Sequence, residues 1–261
     1  MKNITILLPI HILEENETIM LSKALESIEV FHNDIKLSII CPTEISKKLK
    51  DFDFGQKLEV NVIENKKLTN FQSQINLGIE NCDTEWFSIL EIDDVYNETW
   101  LASITEYIKA FPTVEVFLPI VRDVNTEGKF VSFTNESVWA YGFTDKLGYL
   151  NNETLLEFQN YQTSGGLFKT ETVNKFGGFK DNIKLTFVYE FLLRLTYNSV
   201  NVAVVPKVGY QHVVMRENSL FWNLRHDEKE KIEPDEVKFW IETAKTEYFF
   251  KNKREVNYQK P

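Results

Sequence analysis

Apolar residues alternate along the chain between short runs and helical stripes. Residues 3–9 (N-I-T-I-L-L-P) form a run that Pro9 ends, which reads as a buried first strand. In residues 17–31, Met20, Leu21, Ala24, Leu25 and Ile28 fall on one stripe at helical spacing. Residues 36–41, stopped by Pro42, and residues 58–63 read as a second and a third strand. Thr69-Asn70-Phe71-Gln72 has capping-box spacing and predicts a helix through Asn81. Residues 86–90 (W-F-S-I-L) are apolar apart from Ser88, as in a strand buried on both faces.

A helix over 100–111, ended by Pro112, precedes a strand over 114–122, a turn at 125–128 and a strand at 130–133. The rhythm then loosens. Between 134 and 162 the aromatics Trp139, Tyr141, Phe143 and Tyr149 stand among polar residues, with a short helix near 153–159. A Gly165-Gly166 break leads into a further strand, and a helix from Thr170 ends at Gly177-Gly178. A helix over 186–197, a strand over 202–205 and a last helix over 235–250 complete the pattern. The last helix carries Val237, Trp240, Ile241, Ala244 and Tyr248 on one stripe and is followed by a basic tail, Lys251 to Arg254. Alternating strands and helices imply the α/β class. A mostly parallel central sheet flanked by helices is expected, with right-handed crossovers and a C-terminal helical appendage.

Composition narrows the function classes. A chain of 261 residues suits one domain with or without an appendage. Its net charge of -10, without a long basic block, disfavours extended binding to a nucleic-acid duplex. The two cysteines, Cys41 and Cys82, lack the spacing of a metal knuckle or a redox pair and read as core residues of a reducing compartment. The apolar run near the N-terminus, interrupted by Pro9, is too short for a signal peptide or a membrane span, so the cytoplasm is the expected location.

The candidate chemistry lies at the end of the fourth strand. Glu91, Asp93 and Asp94 crowd three carboxylates into four positions. They stand where a strand ends, at the carboxyl edge of the sheet, which is where open α/β sheets bind ligands. Hard oxygen ligands in such number suit Mg²⁺ or Mn²⁺, which can hold a substrate's phosphates. The plainer alternative is an acidic surface turn that caps the next helix.

Taken in order, these features resemble glycosyltransferase family 2, whose members have the Rossmann-like GT-A fold. Pro9-Ile10-His11 is similar to the end of the family's first strand, and Asn76-Leu77-Gly78-Ile79 to its Asn-x-Gly-Ile segment. Glu91-Ile92-Asp93-Asp94 resembles the Asp-x-Asp-Asp motif, and Gly177-Gly178-Phe179 the Gly-Gly-Phe beside the acceptor site. Residues 191–195 resemble the helix Leu-x-x-Arg-Leu, and His212, Arg216 and Ser219 the His-x-x-x-Arg-x-x-Ser region. The family's leading Asp is Glu91 here, the Asp after the second strand is missing, and Ile75 replaces an Arg. The usual Glu-Asp catalytic pair corresponds to Phe187 and Val188, which cannot take a proton.

The resemblance implies a GT-A domain over 1–220, with a donor half to about 122 and an acceptor half from 123, followed by a helical extension over 221–261. It implies metal-dependent transfer of a sugar from a nucleotide diphosphate to a hydroxyl, commonly with inversion. A UDP-sugar is the first choice of donor. The acceptor would be a glycan, a lipid-linked precursor or a protein, with a hydroxylated DNA base ranked below these. Asp93 is the expected direct ligand of Mn²⁺ or Mg²⁺, joined by His212. Pro9, His11, Asn76, Glu91, Asp94 and Arg216 fall on the nucleotide-sugar side, and Gly177, Gly178 and Trp139 on the acceptor side. Glu190 is the nearest substitute for the missing base, although Glu190 and Arg194 have the i,i+4 spacing of an ordinary ion pair. Asp181 is the second candidate. The rival class is a GT-A protein that binds a sugar nucleotide or a partner without turnover. A nucleotidyltransferase ranks last, because residues 11–16 carry no Gly, Lys or Arg for a phosphate loop. The last helix is expected to pack on the core, with a homo-oligomeric contact left open.

Overall fold

The computed structural model describes residues 2–55, 57–66, 70–138, 147–217, 219–227 and 231–258. The first half contains β1 (Ile4–Pro9), α1 (Glu15–Glu29), β2 (Ile35–Cys41), α2 (Thr43–Leu49), β3 (Val60–Glu64), α3 (Phe71–Glu80) and β4 (Trp86–Ile89). These four strands are parallel in the order β3-β2-β1-β4, each joined to the next by a helix. That is the arrangement alternation predicts, because parallel neighbours need a crossover of a dozen residues or more. Helix α2 is an addition to the expected elements. Its seven residues bury Ile45 and Leu49, too short a stretch to show a helical period. Asn70 caps α3 by accepting from Ser73 N at 2.8 Å. Thr69, read as the start of the capping box, lies outside the described residues.

The second half runs β5 (Val95–Tyr96), α4 (Trp100–Ala110), β6 (Val116–Val124), β7 (Phe130–Thr134), β8 (Gly148–Leu150), α5 (Asn152–Glu157) and β9 (Leu167–Lys169). It ends with α6 (Thr170–Phe176), α7 (Phe187–Tyr197), β10 (Val202–Val213), α8 (Leu220–His226) and α9 (Pro234–Tyr258). Here the sheet is mixed. β9 lies antiparallel between β4 and β6, β10 runs parallel to β6, and β5, β7 and β8 pair antiparallel at the margins. The tight turn between β6 and β7, closed by Gly128 N to Asn125 O at 2.8 Å, allows only an antiparallel return.

Side chains of β1 alternate between two buried layers. Ile4, Ile6 and Leu8 pack with α1 and α2, whereas Leu7 faces α3 and the cluster that includes α7. α9 joins the second layer through Trp240, Ile241, Ala244 and Tyr248, the stripe expected to pack on the core. Among the described residues, no helix is long and apolar enough to cross a membrane.

Candidate active site

β4 ends at Ile89, and Leu90 N still bonds Leu7 O at 2.9 Å, so the acidic segment begins where the sheet stops. The next residues leave the ladder, and each acid meets a different partner. Glu91 Oε1 accepts from Ser164 Oγ at 2.7 Å and from Gln162 Nε2 at 3.4 Å, while Glu91 N donates to Tyr210 Oη at 3.0 Å. Asp94, whose side chain is 0% exposed, accepts from Val213 N at 2.8 Å and pairs with His212 Nδ1 at 2.9 Å. Asp93 accepts from Arg216 Nε at 2.6 Å. Arg216 also approaches Glu17 Oε1 on α1 at 3.6 Å.

Burial and mutual repulsion set the electrostatics. Burial, reinforced by the charge of Asp94, pushes the Glu91 carboxyl up to about 7. Burial likewise raises Asp94, against the pull of His212. For His212 burial acts downward, but the charge and hydrogen bond of Asp94 outweigh it, with Glu91 and Asp93 adding to them, and carry the imidazole up to about 10. At neutral pH His212 therefore carries a proton and donates Nδ1–H to Asp94, as expected for a base held among acids.

One ligand atom from each of Glu91, Asp94 and His212 can be chosen so that all lie within 4.8 Å of one another. Two hard carboxylates and an imidazole are a donor set that fits Mn²⁺, and Mg²⁺ less well because it prefers oxygen. Asp93, expected as the direct ligand, stands next to this group with its Oδ2 accepting from Arg216. Pro9 is buried at the end of β1, with His11 half-buried two residues on.

The remaining expected residues gather around the loop between α6 and α7. Asn76, expected on the nucleotide side, brackets the backbone of Phe179 with its side chain, accepting from Phe179 N at 2.8 Å and donating to Phe179 O at 2.7 Å. It also donates to the exposed Asp181 at 3.3 Å. Gly177 O and Gly178 O accept from Arg194 at 2.7 and 2.6 Å. Glu190 is buried among Arg194, Lys180 and Tyr248, and both of its oxygens accept hydrogen bonds. Although burial acts against it, Arg194 above all keeps this carboxyl below the usual range. Phe187 stands among Phe71, Phe179 and Phe221, with ring centroids 5.0–5.9 Å apart. Trp139 lies outside the described residues, as do Tyr141 and Phe143. Ser219 caps α8 by accepting from Trp222 N at 3.2 Å.

Sequence reading missed the support beneath Glu91. Ser164 and Tyr210 come from the turn before β9 and from β10, 73 and 119 positions away, and only the glycine break at 165–166 hinted at crowding there. Gly165 has φ +79°, and a Cβ at that position would meet the Tyr210 ring. Trp100 Nε1 donates to Gly165 O at 2.9 Å from the other side. Gly165→Ala is expected to cost about 2–4 kcal/mol in urea unfolding, since backbone strain and overpacking act together. Wild-type stability in that variant would contradict this packing.

Residues 42–171 match the profile of Glycosyl transferase family 2. No curated protein matches the sequence. Among solved structures, the fold is similar to S. aureus TarS 1–349 in complex with UDP-GlcNAc, with a TM-score of 0.64 at 14% identity, covering 95% of this chain and 72% of that one. A second structure of TarS 1–349 gives 0.62 at 16% identity, covering 82% and 60%. Mannosyltransferase PcManGT from Pyrobaculum calidifontis, in complex with GDP-Man and Mn²⁺, gives 0.58 at 12% identity, covering 85% and 60%. The chain thus spans 60–72% of the length of the chains in these structures, and 43% of a longer TarS chain. Such identities carry the fold alone. On that GT-A fold, residues 42–171, just under half of the chain, carry the profile of Glycosyl transferase family 2.

Proposed function

We propose that this protein transfers a sugar from a nucleotide-diphosphate donor to an acceptor hydroxyl with the help of a divalent cation, Mn²⁺ before Mg²⁺. The observation that carries the reading is the cluster of Glu91, Asp94 and His212 at the carboxyl edge of β4. Asp94 and His212 would hold the ion, with Glu91 as third ligand. Once bound, it would neutralise the charge that grows on the departing diphosphate. Arg216, held beside the site by Asp93, supplies a second positive group that can turn to the same phosphates. A UDP-sugar remains the first choice of donor, in keeping with the TarS complex, and GDP-mannose in PcManGT makes a GDP-sugar the comparison. The acceptor would be a hydroxyl of a glycan, a lipid-linked precursor or a protein, attacked with inversion in the cytoplasm.

Asp181 is the proposed base. It is exposed at the end of the Gly-Gly-Phe loop, and Asn76 holds one of its oxygens. Its carboxylate would accept the hydroxyl proton as the new C–O bond forms and the bond to diphosphate breaks. Glu190, with its oxygens occupied, serves as a structural acceptor. Asp181→Asn is expected to lower transfer about 10²-fold while leaving donor binding intact. Unchanged transfer would remove Asp181 from this role. A second reading, binding without turnover, draws on the aromatic Phe187 where the family carries an acid. Donor and Mn²⁺ binding with no transfer to any hydroxyl acceptor would favour it.

Thermal shift tests the site itself. A saturating UDP-sugar with Mn²⁺ is expected to raise Tm by several degrees, through about 2.7 kcal/mol of linkage at a hundredfold excess over Kd. A panel of UDP- and GDP-sugars that leaves Tm unmoved with Mn²⁺ present would overturn the proposal. The shift should also grow with pH. Ion binding must displace the proton of His212, held up to about 10, and that of Glu91, held at about 7. In the absence of the ion both raised values act the other way. The stability they lend is full at low pH and is lost as pH rises, through about 7 for Glu91 and about 10 for His212. The Mn²⁺-induced shift should therefore be larger at pH 8.5 than at pH 6, and the opposite trend would count against these ligands.

A further inference from the structure

The loop 177–181, between α6 and α7, is tied down from three elements. Arg194 on α7 donates to three successive carbonyls, those of Phe176, Gly177 and Gly178, at 2.6, 2.7 and 2.6 Å. Asn76 on α3 brackets Phe179. The third tie leads out of the GT-A core. Lys180 Nζ reaches Glu190 Oε1 at 2.9 Å and the Tyr248 hydroxyl, on α9, at 3.2 Å.

Glu190 joins these ties. Its side chain is 3% exposed and takes four donors: Arg194 Nε at 2.9 Å, Arg194 Nη2 at 3.1 Å, Lys180 Nζ at 2.9 Å and Tyr248 Oη at 2.7 Å. Each carboxylate oxygen offers about two lone-pair positions, so Oε1 is crowded while Oε2 takes one donor. Three of its donors converge on Oε1, so moving one redistributes the other two. Those two belong to Arg194 and Lys180, the groups that grip the loop. Packing alone does not require this geometry. The Tyr248 ring already lies 5.7 Å from that of Tyr197, and a phenylalanine would fill the same space. The hydroxyl reaches a buried charge 58 positions earlier in the chain.

We infer that the C-terminal helix is a positioning element for the acceptor-side loop and that Tyr248 is its positioning residue, acting through Glu190 on Arg194 and Lys180. The acceptor reading supplies what the loop does; how the loop is held is independent of it. Through this link, the placement of α9 sets the position of Gly177 to Asp181, and hence how an acceptor hydroxyl is presented.

Hydrogen exchange of the full chain tests the link without donor or acceptor. Tyr248→Phe keeps the ring and removes the hydroxyl. Amides of residues 177–181 are expected to exchange at least about tenfold faster, since the hydroxyl's bonds to Glu190 and from Lys180 are both lost, while those of 91–94 keep their wild-type rate. Steady-state kinetics with a working acceptor should then show a raised acceptor KM and an unchanged donor KM. A loop that exchanges at the wild-type rate would overturn the inference. So would an equal acceleration throughout the molecule, which would mark Tyr248 as a plain stabiliser. Should Tyr248→Phe fail to fold, Lys180→Met cuts the same link from the loop side. It must loosen 177–181 and leave α9 protected; no change in 177–181 would again overturn the inference. Failure of glycosyl transfer would leave the exchange result standing, so the two proposals fail separately.

Discussion

Asp94→Asn is expected to abolish the Mn²⁺-dependent thermal shift and to lower sugar transfer by roughly 10²–10³-fold, the scale of losing a fixed electrostatic contact in a transition state. The substitution preserves shape: an amide oxygen can still accept from Val213 N, now at 2.8 Å. What disappears is the charge. His212, held up to about 10 chiefly through Asp94 against its burial, would return toward the ordinary histidine range and lose its partner. Glu91, raised by burial and next by Asp94, would become more acidic. Folding stability should fall as well, because one partner of a buried pair is removed, although loss of the His212 proton and relief of Glu91 offset part of the cost. Calorimetric Mn²⁺ titration and a transfer assay provide the check. Asp93→Asn serves as comparison and should cost only about tenfold, since it loosens Arg216 and removes only a lesser charge acting on the three-residue cluster. Full activity in Asp94→Asn would remove the metal site from the mechanism.

Glu190→Ala is expected to be the most destabilising of these changes, by about 3–5 kcal/mol, with Tm lowered by about 10 °C. The carboxylate is buried and its removal strands Arg194, whose side chain is 11% exposed, beside the vacated space. Arg194 would keep its three carbonyl partners and Lys180 can turn to water, so the lower end of that range is the better guide. Chemical unfolding measures it. The acid side gives a second check. Burial opposes ionisation of Glu190, but Arg194, Tyr248 and Lys180 win and hold its pKa down. A depressed carboxylate stabilises above its unfolded pKa and loses that contribution as pH falls through the folded one. The gap between wild type and Glu190→Ala should therefore narrow in acid. A gap independent of pH would show that packing, not charge, is responsible.

The parallel half of the fold was readable because its signals are local. Pro9 and Pro42 mark strand ends, and helical stripes between the strands imply crossovers. The acids at 91–94 were recognisable as a site for the same reason: charge gathered where an apolar run ends. Glu190 and Arg194 could be read as an ion pair from their spacing on one helix. The strand after Gly165-Gly166 was readable from the glycine break, but its antiparallel place between β4 and β6 was not, since three residues carry no signal of direction. α2 was hidden because seven residues are too short a stretch to show a helical period.

The partner of each acid was set by the three-dimensional arrangement. Asp94 meets His212 across 118 positions and Asp93 meets Arg216 across 123, while Glu91 leans on Ser164 and Tyr210. Those pairings depend on β10 lying in register along β6 with its end brought over the loop after β4, a relation that no window of the sequence contains. Hydrophobic rhythm records which face of an element is buried. The neighbour met by a polar side chain at the sheet's edge follows from how distant strands align, and that alignment is a property of the packed molecule.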